Sequence, residues 1–152
     1  MNKLFAKLGL AAVLFAAPFV SVQAGAGNNH AAVFLGATST DDSTDPTVGL
    51  EYEYRLPYVN RMFGIGVVGE GIFSDPKALI GVAGVIVHPW KDLKLNLSFG
   101  KERKAGHDVD VTRVGIGYDF HYNSISYGPV YNMDSIHGHT VHVAGIAVGI
   151  GF

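Results

Sequence analysis

The sequence predicts an all-β protein, an eight-stranded antiparallel up-and-down transmembrane β-barrel preceded by a cleavable signal peptide. Three observations predict it: apolar and polar residues alternate with period two, turn-forming clusters separate eight such segments, and aromatic side chains gather near the segment ends. The chain has 152 residues, of which 48% are apolar and 16% are charged, and it has no Cys. This composition allows one domain and excludes a disordered chain or a disulfide-stapled fold. Neither end carries a basic run, so the sequence predicts no nucleic-acid partner.

Residues 1–24 have the three parts of a secretory signal peptide. A positive start, an apolar run and two small side chains before the cleavage point are supplied by Lys3 and Lys7, Leu8 to Val20, and Val22 and Ala24. We expect cleavage after Ala24, which leaves 25–152 as the barrel domain. The alternative, a retained membrane helix, needs about 20 apolar residues, and this run is shorter.

Eight alternating segments follow the signal peptide. They are predicted at about 30–38, 48–56, 61–73, 79–87, 92–103, 109–122, 125–132 and 140–152. The turn signals between them are Ser39 to Thr47, Leu56 to Asn60, Ser74 to Lys77, His88 to Asp92, Lys104 to Asp108, Asn123 to Ser124, and Met133 to His139. Most segments reach the roughly 9–11 residues of a tilted membrane strand. The seventh is short, and its Pro129 removes a ladder hydrogen bond unless it lies at a bulge.

Alternation alone fits both a membrane barrel and a secreted, soluble ligand-binding barrel, because the two place the apolar face on opposite sides. The even strand count and the aromatic Phe152 closing an alternating strand favour the membrane barrel, since an aromatic C-terminal residue resembles an outer-membrane insertion signal. Two predicted aromatic girdles favour it too. One rim would hold Tyr54, Phe63, Trp90, Phe120, Tyr122, Tyr127 and Phe152, and the other Phe73, Phe99 and Tyr131.

In the membrane phase the charged side chains point into the lumen, and Lys101 points outward only near a strand end. The predicted polar network of the lumen comprises Glu51, Glu53, Arg55, Glu70, Lys94, Asn96, Glu102, Arg113, Asp119 and His121. An eight-stranded barrel has an interior that side chains just fill, and buried charges must be paired. We therefore expect a plugged lumen in preference to a pore.

A tight loop at Lys104–His107 predicts the register of the fifth and sixth strands. The expected facing pairs are Glu102 with Arg113, Asn96 with Asp119, Lys94 with His121, and Ser98 with Gly117.

Histidines suggest two kinds of chemistry, and the sequence favours neither. His137, His139 and His142, with His107 nearby, do not share one strand face, so we expect a solvated loop and no metal. His121 and Ser124 resemble the His and Ser of lipid A deacylase barrels. That family needs the two residues two apart on one face with a downstream carboxylate, a pattern this spacing lacks. We expect no catalytic residues and no cofactor.

Five further segments carry a family resemblance. They are His30 to Gly36, Thr47 to Arg55, His88 to Leu95, Arg113 to Phe120, and Gly145 to Phe152. With them the chain resembles a family of small, uncharacterised outer-membrane β-barrel proteins of Gram-negative bacteria, which are porin-like in fold. The resemblance implies fold and location and brings no assigned activity.

The expected role is therefore a non-enzymatic outer-membrane component, exported and then cleaved, which supports the envelope or makes surface contacts. Expected partners are outer-membrane lipid and, during biogenesis, periplasmic chaperones and the barrel-insertion machinery; we expect a monomer. The termini and three short turns would face the periplasm, and loops around Asp42, Asp75, Gly106 and Ser135 would face outside. The alternatives are a narrow channel gated by Glu53, Arg55, Arg113 and Asp119, a lipid-modifying enzyme, and the soluble periplasmic barrel.

Overall fold

The computed structural model describes residues 27–90 and 92–152, so the predicted signal peptide lies outside the described residues. The strands are β1 (Asn29–Ser39), β2 (Thr44–Arg55), β3 (Phe63–Ile72), β4 (Ala78–Trp90), β5 (Leu93–Lys104), β6 (His107–Tyr118), β7 (Phe120–Tyr122), β8 (Ile125–Ile136) and β9 (His139–Gly151). A 3-10 turn at Pro57–Val59 lies between β2 and β3. In the described part of the chain, no helix is long and apolar enough to cross a membrane.

The strands close into a single antiparallel barrel. Each strand pairs with its neighbours in sequence, and β1 closes the ring by pairing with β9. The short β7 continues the register of β6 against β8, because Gly117 lies opposite Val130 and Phe120 lies opposite Tyr127. β6 and β7 are therefore one strand of the barrel wall, interrupted at Asp119. The wall has eight strands, and the predicted fold class is confirmed.

The strands are strongly staggered around the barrel. Steps between directly paired residues, once around the wall from Asn29, return to β1 at Ser39, ten residues farther along. A stagger of this kind tilts the strands by about 35–45° to the barrel axis. Residues that face each other across the lumen therefore come from distant points of the sequence.

The two ends of the barrel differ. The hairpin end carries the connections 40–43, 73–77, 105–106 and 137–138, and the terminal end carries residues 27–28, Phe152, and the connections 56–62, 91–92 and 123–124. At the terminal end, Phe152 and Asn29 exchange two backbone hydrogen bonds of 3.0 and 2.9 Å. The connections at the hairpin end are all short.

The predicted register of the fifth and sixth strands is wrong by four residues. Ala105 and Gly106 have φ angles of 50° and 80°, so they form a two-residue hairpin turn, and both strands continue up to it. The observed pairs are Ser98 with Arg113, Asn96 with Gly115, Lys94 with Gly117, and Glu102 with Val109. Because the shift is even, every side chain keeps its predicted face.

The seventh predicted strand, β8, is longer than the sequence indicated. It continues to Ile136 because the turn to β9 is the two-residue His137–Gly138, again with positive φ angles, 50° and 78°. Asp134 and Ser135, predicted to lie in a loop, are therefore in the barrel wall, and the Asp134 side chain is fully buried.

Apolar side chains cover the outside of the barrel, as the predicted phase requires. Examples with large exposed fractions are Ile65, Val67, Leu79, Leu97, Phe99, Ile116, Phe120, Tyr127, Ile146 and Val148. The interior also contains apolar clusters. The larger one fills the hairpin end with Ile72, Ala78, Ile80, Val82 and Val111, joined by Val68 and Ile136. A second one lies against β1, β8 and β9 and comprises Ala32, Phe34, Val130, Val143 and Ala147. The lumen is therefore polar in part only.

Candidate functional site: the buried polar network of the lumen

Arg113 holds two carboxylates in the middle of the lumen. Its Nη1 and Nη2 donate to Oε1 and Oε2 of Glu70 at 2.7 and 2.6 Å. Its Nε and Nη2 donate to Oδ1 and Oδ2 of Asp134 at 2.6 and 2.7 Å. None of the three side chains is more than 2% exposed. We call these three residues the arginine clamp; its two bidentate pairings use the geometry in which guanidinium groups bind carboxylates most strongly.

The arginine clamp crosses the lumen. Arg113 lies on β6, Asp134 is its direct neighbour on β8, and Glu70 lies on β3, two strands beyond β5 in the other direction. The arginine side chain thus connects opposite walls. The larger apolar cluster includes Ile72, two residues from Glu70, and Val111, two residues from Arg113, on the side of the hairpin end. Clamp and cluster together fill this half of the barrel.

A second cross-lumen ion pair lies nearer the terminal end. Lys94 on β5 donates from Nζ to Oε1 of Glu51 on β2 at 2.6 Å, and the lysine side chain is 2% exposed. Glu51, two residues before Glu53, therefore reaches a strand three places away in the barrel. A buried ion pair costs little only when its geometry is good, and this short contact meets that condition.

The Glu53 carboxylate contacts two basic side chains, His88 and Arg55, at the terminal end. Its Oε1 lies 2.6 Å from Nε2 of His88, and its Oε2 accepts a 3.3 Å hydrogen bond from Nε of Arg55. The Glu53 side chain is fully buried and His88 is 6% exposed. His88, which the sequence placed in a turn, belongs to β4 and points inward in phase with Ile86.

Two further hydrogen bonds join side chains on strands that are not adjacent. In each case a glycine lies on the strand between them. Asn96 Nδ2 on β5 donates to Asn132 Oδ1 on β8 at 3.1 Å, above Gly115 on β6. His30 Nε2 on β1 lies 2.6 Å from Ser126 Oγ on β8, and a Cβ on the intervening Gly149 would come within 2.7 Å of that imidazole nitrogen. Glycine at these positions lets side chains bond over a strand.

Replacing Gly115 with Ala is expected to lower the free energy of unfolding by about 1–3 kcal/mol, the usual cost of overpacking a filled interior. A Cβ there would overlap both Asn132 Oδ1 and Asn96 Nδ2 and would separate the amide pair. Urea denaturation in lipid vesicles measures the change. Gly69→Ala is the matched control, because a Cβ on Gly69 meets no atom within 4 Å. Equal midpoints for the two variants would contradict the space argument.

The remaining predicted network residues lie near the two ends. Asp119 is 3% exposed at the interruption between β6 and β7, and its backbone N–H donates to the carbonyl of Asp92 at 2.8 Å. His121 is on the surface, where Nδ1 lies 3.2 Å from Asp92 Oδ1. Glu102 is half-buried toward the hairpin end, within electrostatic range of Asp134. The structure therefore brings most of the predicted residues into the lumen but divides them into separate groups.

Five polar residues of these groups were missed by the sequence reasoning as lumen partners. They are His30, His88, Ser126, Asn132 and Asp134. Alternation continued through the assumed turns would have found His88 and Asp134, since both keep the inward phase of their strands. Among the described residues no three His, Asp or Glu side chains are arranged to hold a metal ion.

A small cavity lies between these groups. It leaves about 20 Å³ for the centres of water molecules, which is room for one or two waters. Its lining includes Glu51, Lys94, Asn96 and Arg113, and the buried Asn96 Oδ1 has no protein hydrogen-bond partner. The cavity can hold water but no solute of metabolite size.

Comparisons with known proteins agree with this architecture. No protein-family model and no curated protein sequence matches the chain. Among solved structures, Neisserial surface protein A matches with a TM-score of 0.59 and 12% identity, covering 86% of this chain and all of its own. Ail, the attachment invasion locus protein of Yersinia pestis, matches with 0.55 and 14%, covering 83% and 99%. A de novo designed transmembrane β-barrel matches with 0.56 and 14%, covering 84% and 100%. The chain has the fold of eight-stranded outer-membrane β-barrels.

Proposed function

We propose that this protein is an integral outer-membrane β-barrel with a closed lumen and a non-enzymatic role, either in the integrity of the envelope or in contacts at the cell surface. The apolar outer face supports membrane insertion, because in water such a face would have to be covered. The fold shared with outer-membrane barrels supports the same location. We further propose that the protein is exported and that residues 1–24 are then removed.

The main support for a closed lumen is the arginine clamp, which lies next to the larger apolar cluster. Arg113 connects β6 with β3 and β8, and the cluster fills the space on the hairpin side. An ion would have to displace a guanidinium group that makes four charge-assisted hydrogen bonds, and then pass apolar side chains. Such a lumen supports the barrel from inside and does not conduct.

We also propose partners for the protein and an orientation of the barrel in the membrane. The outer face binds outer-membrane lipid, and the terminal end faces the periplasm, where chaperones and the barrel-insertion machinery receive the exported chain. The hairpin end then faces outside. Its exposed charges are already partly paired, Arg103 with Asp108 at 2.7 Å and Lys101 with Asp110 at 3.2 Å. Surface contacts are made through these short hairpins, by a monomer.

Envelope fractionation with an unheated gel tests the location. We expect a folded band in the outer-membrane fraction that shifts on boiling, because a closed barrel resists detergent until it is heated. Urea-washed membranes serve as the control for peripheral association. A soluble periplasmic band without a heat shift would instead favour the ligand-binding barrel, in which the apolar face is the interior.

Planar-bilayer recording tests the closed lumen. We expect no conductance steps from the reconstituted wild-type protein and none from the folded Arg113→Ala variant, because the apolar cluster remains in place. Steps that appear only in the variant would identify Arg113 as the gate of a narrow channel. Steps in the wild type would remove the plug from the proposal while leaving the membrane location intact.

A further inference from the structure

The barrel wall has an incomplete hydrogen-bond ladder between β6/β7 and β8. The continuous register places Tyr118 opposite Pro129 and Asp119 opposite Gly128. The Asp119 N–H donates toward β5, to the carbonyl of Asp92 at 2.8 Å. Backbone groups alternate in direction along a strand, so those of Tyr118 point toward β8. There they meet Pro129, which has no N–H to donate. The Tyr118 carbonyl therefore lacks its ladder donor.

Glycine closes the wall at this interruption. A Cβ on Gly128 would overlap the carbonyl oxygen of Tyr118, so only glycine permits the observed approach of the two strands. On the outer face three aromatic rings cover the same place. Phe120 packs edge-on against Tyr118, on the other side of Asp119, at a centroid distance of 5.0 Å, and it stacks on Tyr127, its paired neighbour on β8, at 5.7 Å. We call Tyr118, Phe120 and Tyr127 the aromatic clasp.

The inner side of the interruption is polar, and among the ion pairs of the described residues none joins β7 to β8. Asp119 and Ser126 are each 3% exposed there, and Ser126 bonds His30 of β1 instead of a residue of β6 or β7. Farther toward the hairpin end, Arg113 and Asp134 bridge the same two strands through two hydrogen bonds. On the terminal side of the interruption this seam is thus held by the three β7–β8 backbone pairs and the aromatic clasp, and on the hairpin side by the β6–β8 pairs and the arginine clamp.

We propose that the wall opens laterally at this seam, between Tyr118 and Pro129, and so gives the bilayer access to the terminal half of the lumen. When the seam opens, the three short β7–β8 backbone pairs separate and the aromatic clasp moves aside, and the arginine clamp limits how far the opening spreads. The Asp119 carboxylate and the Ser126 hydroxyl are the groups that the opening exposes. This inference rests on the proposed membrane location.

Single cysteines test the seam, because the protein has none of its own. Ser126→Cys places a thiol behind the seam, and Ser98→Cys places one on β5 beside Arg113, away from it; both serines are buried, at 3% and 6% exposure. The folded proteins in phosphatidylcholine vesicles are treated with pyrene maleimide, which partitions into the bilayer, or with a charged methanethiosulfonate that stays in water. We expect pyrene maleimide to modify the Ser126→Cys protein faster than the Ser98→Cys protein.

Pro129→Ala supplies the missing N–H and is the decisive variant. Combined with Ser126→Cys, it is expected to slow labelling by pyrene maleimide by about fivefold to tenfold, the factor that one net hydrogen bond commonly contributes. Combined with Ser98→Cys, it should change nothing. The seam is refuted if Pro129→Ala has no effect on labelling, or if the charged reagent labels the Ser126→Cys protein as fast, since the route is then the terminal mouth.

The heat shift of each labelled sample separates this inference from the proposed function. A folded, vesicle-inserted protein with labelling unaffected by Pro129→Ala overturns the seam alone. A protein that fails to insert overturns the membrane location, and the seam with it.

Discussion

Replacing Arg113 with Ala is expected to lower the free energy of unfolding by about 3–5 kcal/mol, the largest effect of any single substitution in the lumen. The variant would leave the carboxylates of Glu70 and Asp134 buried together, at 1% and 0% exposure, without the guanidinium group that balances their negative charge. Removing one partner of a buried pair costs more than the pair contributes, because the remaining charge stays out of water. Here two charges stay behind.

The urea midpoint of refolding in lipid vesicles measures this loss, followed by the gel shift. Arg103→Ala is the matched control: Arg103 also pairs with an aspartate on the adjacent strand, Asp108, but the arginine side chain is 67% exposed. Exposed pairs of this kind contribute about 0–1 kcal/mol. The triple variant Arg113→Met, Glu70→Gln, Asp134→Asn should regain much of the stability, since the clamp then contains no buried charge without a partner. If Arg113→Ala and Arg103→Ala lose the same amount, the clamp does not stabilise the barrel.

The fold could be predicted because period-two alternation depends only on local sequence. Each strand places its apolar residues on one face, and that face survives errors in strand ends and in register. The fifth and sixth strands illustrate this: their predicted register was wrong by four residues, yet Lys94 and Arg113 both point into the lumen as expected. Even shifts preserve the face of a residue and change only its neighbours.

The contacts between side chains in the lumen could not be predicted, because a register shift changes the neighbours of a residue even when its face is correct. Whether Arg113 meets Glu102 or Asp134 depends on turn length, and both turns concerned are tighter than their polar sequences suggested. Ala105 and His137 adopt positive φ, which L-residues with a Cβ adopt less readily than glycine, so neither position indicated a two-residue turn. The prediction therefore assigned residues at the ends of the strands, Asp134 among them, to loops.

Contacts across the lumen depend on a further quantity, the stagger of the closed barrel. Arg113 reaches Glu70, and Lys94 reaches Glu51, over strands that lie between them along the wall. The stagger of ten residues is the sum of all the individual registers, so one wrong turn displaces each cross-lumen pair whose strands lie on opposite sides of that turn. The sequence indicated many of the side chains that enter the lumen, and the register of the whole ring decides which of them meet.

Replacing Ile146 with Arg is expected to cost about 2–4 kcal/mol of folding free energy in vesicles, the price of a cation at the bilayer midplane. Ile146 is 57% exposed on the outer face and lies near the middle of β9, opposite Pro129 and Leu35. Its side chain contacts lipid in the proposed location, so the guanidinium group must lie in hydrocarbon or bend toward a headgroup.

Thr140→Arg is the control, because Thr140 is also exposed on the outer face of β9 but is its second residue, at the hairpin end, where an arginine reaches the headgroups at a cost of about 0–1 kcal/mol. Urea midpoints in vesicles of dilauroyl phosphatidylcholine compare the two variants with the wild type. If this outer face met water instead of lipid, both arginines would extend into water, and neither would change stability appreciably. A large loss for Ile146→Arg together with a small one for Thr140→Arg therefore requires hydrocarbon at the middle of the wall, because burial within the protein is excluded by the exposure of Ile146.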